Sequence, residues 1–367
     1  MLDALPSEVL LKILRGTNQD TLTQGLFLAS KALYAAARDA SLWREVWLSE
    51  LDSSALRFMG ETATACERLC IENSCPDDVG LFLEDLAEKH PAVASNITGL
   101  VVYICGRCTR LPDHMLEAMC AGFPSLRTLC IRLEGGVEDE GNDLHFPQST
   151  RLGLLEELEI VEMPETDQDG DMEPSNLCVF FGSAGARSMP SLRKITLAVA
   201  SSDVMLGDVI SNLPALRVLS YHSEFESYDQ DLIRMDKDIR LDFLGISVHE
   251  HSDFSGLLRA LANASRVGVL NVRAHTDVTF DVALPVESLC VHVLEPGAIV
   301  QFDFFTLKDS PRLKRLGVRC HDMEDDEEEA CVKFVSVPSA AEWMKLHADC
   351  GMSLSPRARI ELSPAHY

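Results

Sequence analysis

The chain has 367 residues, with 32 Lys and Arg against 58 Asp and Glu, for a formal net charge of −26. That balance repels a phosphate backbone unless one face is locally basic, so nucleic acid is not an expected partner. Hydrophobic residues at 46% and charged residues at 25% describe a globular chain and exclude disorder, while an aromatic content of 6% predicts a core of Leu, Val, Ile and Ala. Twelve cysteines are too sparse for a disulfide scaffold, and Met1-Leu2-Asp3-Ala4-Leu5-Pro6 has neither the basic nor the apolar region of a secretory leader. Apolar runs such as Leu100 to Cys105 are strand-sized. The expectation is an intracellular protein, cytoplasmic or nuclear, with reduced thiols and no membrane partner.

In chain order, residues 1–50 come first and read as helical throughout. Pro6 fits a first helical turn, Glu8 follows where the helix dipole favours an acid, and Val9, Leu10, Ile13 and Leu14 recur at helical spacing. Leu22, Leu26, Ala29, Leu33 and Ala37 keep the same period, and Trp43 and Trp47 follow closely. Three pieces, Leu5-Pro6-Ser7-Glu8-Val9-Leu10-Leu11-Lys12-Ile13-Leu14, Leu28-Ala29-Ser30-Lys31-Ala32-Leu33-Tyr34 and Ser41-Leu42-Trp43-Arg44, resemble an F-box in content and order. The match departs from the family pattern at Tyr34, where the aromatic comes late, and at Gly25, which interrupts the second helix. The resemblance implies that Leu5, Pro6, Leu10, Ile13, Leu14, Leu42 and Trp43 face a Skp adaptor or form the helical core beneath that surface.

Residues 51–96 read as a helical linker, with helices over Leu56 to Ile71 and Val79 to His90. From residue 97 to the C-terminus the chain repeats. The phrase L-x-x-L-x-L appears as Ile97-x-x-Leu100-x-Val102, Leu126-x-x-Leu129-x-Ile131, Leu155-x-x-Leu158-x-Ile160, Leu192-x-x-Ile195-x-Leu197, Leu216-x-x-Leu219-x-Tyr221, Leu241-x-x-Leu244-x-Ile246, Val267-x-x-Leu270-x-Val272 and Leu313-x-x-Leu316-x-Val318. Weaker copies lie at Val286 to Val291 and Arg357 to Leu362. The mean spacing is 27 residues, the length of a leucine-rich repeat. Prolines in Phe123-Pro124-Ser125-Leu126, Met189-Pro190-Ser191-Leu192, Leu213-Pro214-Ala215-Leu216 and Ser310-Pro311-Arg312-Leu313 end one element before each strand, and Asp113, Asp203 and Asp253 start candidate helices. The fold class is therefore α/β: an all-helical F-box, then a solenoid of about nine to ten repeats, strands on its concave face and helices on its convex face. Acidic segments at 134–143, 162–173 and 322–329 contain 18 acids and no Lys or Arg, and fall in loops.

Candidate chemistry is sparse. Cys105-x-x-Cys108 has no second pair to complete a zinc site, His249-Glu250-His251 lacks the spacing that puts two imidazoles on one helix face, and Asp167 to Asp171 lacks the ordered ligands of a calcium loop. No catalytic residue, metal or cofactor is expected. A binding face is. In each strand the leucines point inward, so the residues before, after and three after the central leucine line the concave sheet. These positions hold Arg132, Lys194, Arg273, Arg315, Arg319 and Arg359 against Glu157, Glu159 and Glu361, joined by His222, His292, Asn271 and Thr196. The basic excess marks either a target-binding face or the ordinary polarity of a solenoid. An F-box before such repeats resembles the substrate-recognition subunit of a Skp–cullin–F-box (SCF) ubiquitin ligase. That resemblance implies a Skp adaptor and cullin as partners, and the basic concave residues point to an acidic or phosphorylated protein as target. The alternative is a repeat scaffold or inhibitor acting without a ligase.

Overall fold

The computed structural model describes residues 36, 38–73, 75–105, 113–134, 142–145, 152–163, 177–180, 189–199, 201–202, 213–223, 240–248, 254–262, 266–295, 297–310, 312–320, 330–356 and 358–364. Two compact units divide the chain, Met1–Leu177 with Ser188–Pro190, and Cys178–Arg187 with Ser191–Tyr367. Both are mixed α/β with parallel strands, compatible with an α/β solenoid.

Among the described residues, the first unit shows helical Ala36, a 3-10 turn at Ala40–Leu42 and then β1 (Glu45–Leu48). Next come α1 (Ser53–Glu61), β2 (Arg68–Asn73), α2 (Pro76–Lys89), α3 (Pro91–Asn96), β3 (Gly99–Cys105), α4 (Asp113–Gly122), β4 (Thr128–Glu134), β5 (Asn142–His145) and β6 (Glu157–Met163). Strands β1, β2, β3, β4 and β6 form a parallel sheet in that order. The central residue of each phrase pairs with its counterpart: Val46 with Leu69, Leu69 with Leu100, Leu100 with Leu129, and Leu129 with Leu158. Each of these side chains is buried. Sequence phase and sheet register thus coincide, because a one-residue slip would turn every leucine to the other face.

The start of each strand is built alike. A backbone turn precedes it, as in Cys66 N–H to Ala63 O at 3.0 Å and Leu126 N–H to Phe123 O at 3.1 Å. Two consecutive N–H groups then share one carbonyl of the preceding copy: Glu67 and Arg68 donate to Arg44, Thr98 and Gly99 to Glu67, Arg127 and Thr128 to Thr98, and Glu156 and Glu157 to Arg127. Helices close the other side. In α1 the Asp52 carboxylate accepts from Ser54 N–H and Ala55 N–H at 2.8 and 2.9 Å, which lowers its pKa. In α2, Pro76 starts the helix, Asp77 and Asp78 occupy the positive first turn, Lys89 the last, and Val79, Phe82, Leu83 and Leu86 are buried.

Two expectations fail here. Residues 45–48 are a strand rather than helix, and the expected helix over Leu56 to Ile71 ends at Glu61, leaving β2 at Arg68–Asn73. Both strands carry the repeated phrase, as Trp43-x-x-Val46-x-Leu48 and Cys66-x-x-Leu69-x-Ile71, so the sheet starts about 50 residues before position 97. Trp and Cys take the first apolar place, and both are buried. Glu162, assigned to an acidic loop, instead lies within β6 and is buried.

The second unit contains β7 (Leu177–Phe180), β8 (Lys194–Val199), β9 (Ser201–Ser202), β10 (Val218–Ser223), β11 (Arg240–Val248), α5 (Phe254–Ala262), β12 (Arg266–Ala274) and β13 (Val278–Phe280). It continues through β14 (Val286–Val293), β15 (Ile299–Asp303), α6 (Phe304–Lys308), β16 (Arg315–Cys320), β17 (Cys331–Val337), α7 (Ala340–Asp349), β18 (Ser353–Leu354) and β19 (Arg359–Pro364). Strands β8, β10, β11, β12, β14, β16 and β18 form its main parallel sheet. Ile195, Leu219, Leu244, Leu270, Leu289 and Leu316 again stand in register.

A second parallel sheet, β13-β15-β17-β19, takes the place expected for helices. Its strands repeat a Val-x-Phe phrase in register: Val278 with Val300 and Val332, Phe280 with Phe302 and Phe334. Phe302 is fully buried and stacks on Phe280 at 4.9 Å and Phe334 at 5.4 Å between ring centroids. Phe254 meets Phe280 edge-on at 5.2 Å, and Trp343 closes on Phe334 at 4.2 Å. The buried residues are mostly Leu, Val, Ile and Ala, as composition predicts, and this aromatic ladder is an addition confined to the second sheet. The weak copy at Arg357 to Leu362 is corrected too: β19 pairs with β17 in the second sheet, so Arg359 and Glu361 do not belong to the main sheet.

Candidate protein-binding face

In the second unit, three rows of side chains cross the main sheet on the face opposite the buried leucines. The first is Lys194, Val218, Phe243, Val269, Ser288 and Arg315. The second is Thr196, Ser220, Gly245, Asn271, Cys290, Gly317 and Ser353. The third places Arg273 beside Ser247 and His292, and His292 beside Arg319, with His222 beside Ala198 at its start. The middle row is a floor of small side chains, and the outer rows carry the charge. Lys194, Arg273, Arg315 and Arg319 stand there with no Asp or Glu among the described residues of the three rows.

His222 is the organising polar group. Its Nε2 lies 2.9 Å from Ser220 Oγ and its Nδ1 3.1 Å from Ser247 Oγ, a bridge between β10 and β11. Two hydroxyls suit a neutral imidazole, since each can donate or accept. Burial, then the positive charge of Arg273 and His275, pushes the His222 pKa down to about 4. The unfolded residue, near 6.5, takes up a proton first as pH falls, so this contribution to stability is complete above pH 6.5 and is lost as pH drops towards about 4. The full shift corresponds to about 3 kcal/mol. We expect His222→Gln to flatten the pH dependence of urea unfolding between pH 6.5 and 4.5 relative to the native chain. Parallel profiles would contradict a half-buried, neutral imidazole.

Neighbouring groups continue the row. His292 Nε2 lies 3.3 Å from Cys290 Sγ, and burial followed by Arg319 and Arg273 lowers its pKa. Asn271 Oδ1 is buried without a hydrogen-bond partner among the described residues.

The corresponding face of the first unit differs in character. Trp47, 44% exposed, stacks on Tyr103 at 5.8 Å, and the Arg132 guanidinium lies 5.6 Å from the Tyr103 ring centroid. Arg132 also donates from Nε and Nη2 to Glu159 Oε1 at 2.9 and 2.6 Å, a pairing that raises its pKa. Beneath them, Cys70, Val101 and Cys130 form an apolar cluster against Tyr103. Burial, reinforced by Glu159, pushes the Cys130 thiol up to about 11, so it remains protonated. Glu45, Glu72, Glu157 and Glu159 outnumber Arg68 and Arg132 on this face.

The predicted site residues thus divide. Arg132, Glu157 and Glu159 sit on the first unit; Lys194, His222, Arg273, His292, Arg315 and Arg319 sit on the second. The basic excess belongs to the second unit alone. Leu5, Pro6, Leu10, Ile13 and Leu14 lie outside the described residues, as do Cys108, His249 to His251 and Asp167 to Asp171. Leu42 is half-buried. Trp43 is 1% exposed and meets Phe58 edge-on at 4.8 Å, a core position. Ser220, Ser247, Cys290, Trp47 and Tyr103 were missed as face residues, although strand alternation identifies each once the phrase is phased. No described helix is long and apolar enough to cross a membrane. No family model matches the chain, and no curated protein matches it.

Proposed function

We propose that the chain is the substrate-recognition subunit of an SCF-type ubiquitin ligase acting in the cytoplasm or nucleus. The F-box-like residues Leu5, Pro6, Leu10, Ile13 and Leu14 dock a Skp adaptor and, through it, cullin. Leucine-rich repeats capture the target. The observation that carries target capture is the basic face of the second unit, with no Asp or Glu among the described residues of its three rows, in a chain of net charge −26, a local reversal that attracts an acidic partner. The ligase mechanism is proximity: holding a target beside an active site on another subunit raises the effective concentration of its lysines.

Purified Skp adaptor should co-purify with the full chain, and Leu5→Ala/Pro6→Ala should abolish capture while leaving circular dichroism unchanged. Failure of the native chain to bind the adaptor would reject the ligase assignment. One observation favours the second reading, a repeat scaffold without a ligase: Trp43, the last piece of the F-box-like pattern, is buried beside the first strand as a core residue. In that reading the N-terminal helices cap the repeats, and the basic face binds the same acidic partner.

A further inference from the structure

The first unit concentrates the negative charge of the chain, and its sheet face carries exposed aromatic surface. Residues 1–177, which make up this unit apart from Ser188–Pro190, hold 31 Asp and Glu against 13 Lys and Arg. On the sheet face, Tyr103 of β3 meets Trp47 from the β1 side at 5.8 Å and the Arg132 guanidinium from the β4 side at 5.6 Å. Indole, phenol and guanidinium follow one another, and the succession ends at Glu159, which takes the Arg132 charge. At the other end the indole is 44% exposed. Trp47 Nε1–H donates to Glu45 Oε1 at 3.2 Å, which fixes an exposed carboxylate at the edge of the ring. Glu72, also exposed, stands beside Tyr103. Arg68 stands beside Glu45 and makes no ion pair with it.

The geometry points to a docking site for a basic segment of a protein partner, with an arginine of that segment stacked on Trp47 and paired with Glu45. The chain itself makes this contact once: Arg132 lies over Tyr103 and closes on Glu159, so that ring, guanidinium and carboxylate meet. Trp47 and Glu45 supply the ring and the carboxylate of a second such set, which a partner's arginine completes. Indole attracts a cation more strongly than phenol does. A planar guanidinium lies flat on it and still donates to a carboxylate, whereas an ammonium group acts as a point charge. Cys70, Val101 and Cys130 form an apolar floor against Tyr103, so the stack is anchored before a ligand arrives. The acidic excess of the unit draws a basic segment from a distance and repels nucleic acid. This site stands apart from the ligase reading, since it lies on another face and selects the opposite charge.

The test uses the full chain and an immobilised library of basic peptides with a central Arg, the same library with citrulline there, which keeps the shape and removes the charge, and the same library with Lys. Arg peptides should bind about tenfold tighter than citrulline peptides, with Lys peptides between them. Trp47→Leu should cost about fivefold for Arg peptides, and Trp47→Phe should keep part of the binding. Glu45→Gln, an exposed change that spares the fold, should also weaken Arg peptides and narrow the gap to citrulline. Glu84→Gln, an equal charge change on the exposed side of α2, should leave the preference intact. Equal affinity for Arg and citrulline peptides, binding of neither, unchanged binding in both Trp47→Leu and Glu45→Gln, or equal loss with Glu84→Gln would each overturn the inference. Self-association of the chain that disappears in Trp47→Leu would overturn it too, by giving the face to a second copy.

Discussion

Alanine at Trp43 is expected to destabilise the chain by about 3–5 kcal/mol, the range for truncating a buried aromatic residue. Trp43 is 1% exposed, packs edge-on against Phe58, and precedes Val46 and Leu48, both buried, in the first copy of the strand phrase. An edge-to-face aromatic pair adds about 0.5–1.5 kcal/mol beyond the area it buries, so Trp43→Phe should recover much of the loss. Urea unfolding followed by circular dichroism measures both variants. Native unfolding with lost capture of the Skp adaptor would move Trp43 from the core to a docking surface, which makes this substitution a direct discriminator between the two functional readings.

Phe302→Ala is expected to have an effect of similar size, about 3–5 kcal/mol, felt first in the second unit. Phe302 stacks between Phe280 and Phe334, and Phe334 leads on to Trp343, so its removal leaves a void inside the ladder and separates rings that now touch. Phe302→Leu keeps most of the apolar volume and should cost far less. Hydrogen exchange at β15 and β17 gives the local reading: protection of Val300 and Val332 amides should fall in Phe302→Ala while Leu69 and Leu100 in the first unit stay protected. Uniform loss of protection, or none, would contradict a ladder that acts within its own sheet.

The strand phrase was legible because it is a packing constraint. Leu100, Leu129 and Leu158 had one apolar pattern in sequence and have one register in the sheet, and the same alternation put Arg273, His292 and Arg319 on the open face. The earliest strands escaped notice because a tryptophan and a cysteine fill the first apolar place at Trp43 and Cys66, and because Val46-Trp47 sits inside a stretch that also satisfies a helical period. The Val-x-Phe phrase is visible in the chain, yet each copy is only three to seven residues long, too short for periodicity to separate strand from turn. What one-dimensional reading lacks is the partner: Trp47 becomes a face residue only when Tyr103 stands 5.8 Å away, and Arg132 loses its status as an unpaired cation only when Glu159 is beside it.

Because register follows the phrase and not the distance between phrases, chain length between strands is nearly unconstrained. The central residues of β12 and β14 are 19 positions apart and those of β2 and β3 are 31 apart, yet both pairs align leucine to leucine. For flexible connections, closing the longer span costs only about 0.4 kcal/mol more than the shorter. Connecting segments can therefore gain or lose residues, acidic ones included, without disturbing the rows of side chains on the sheet. Such a scaffold lets evolution tune net charge and surface character in its insertions while the spacing of the arginines that face a ligand stays set by hydrogen bonding between strands.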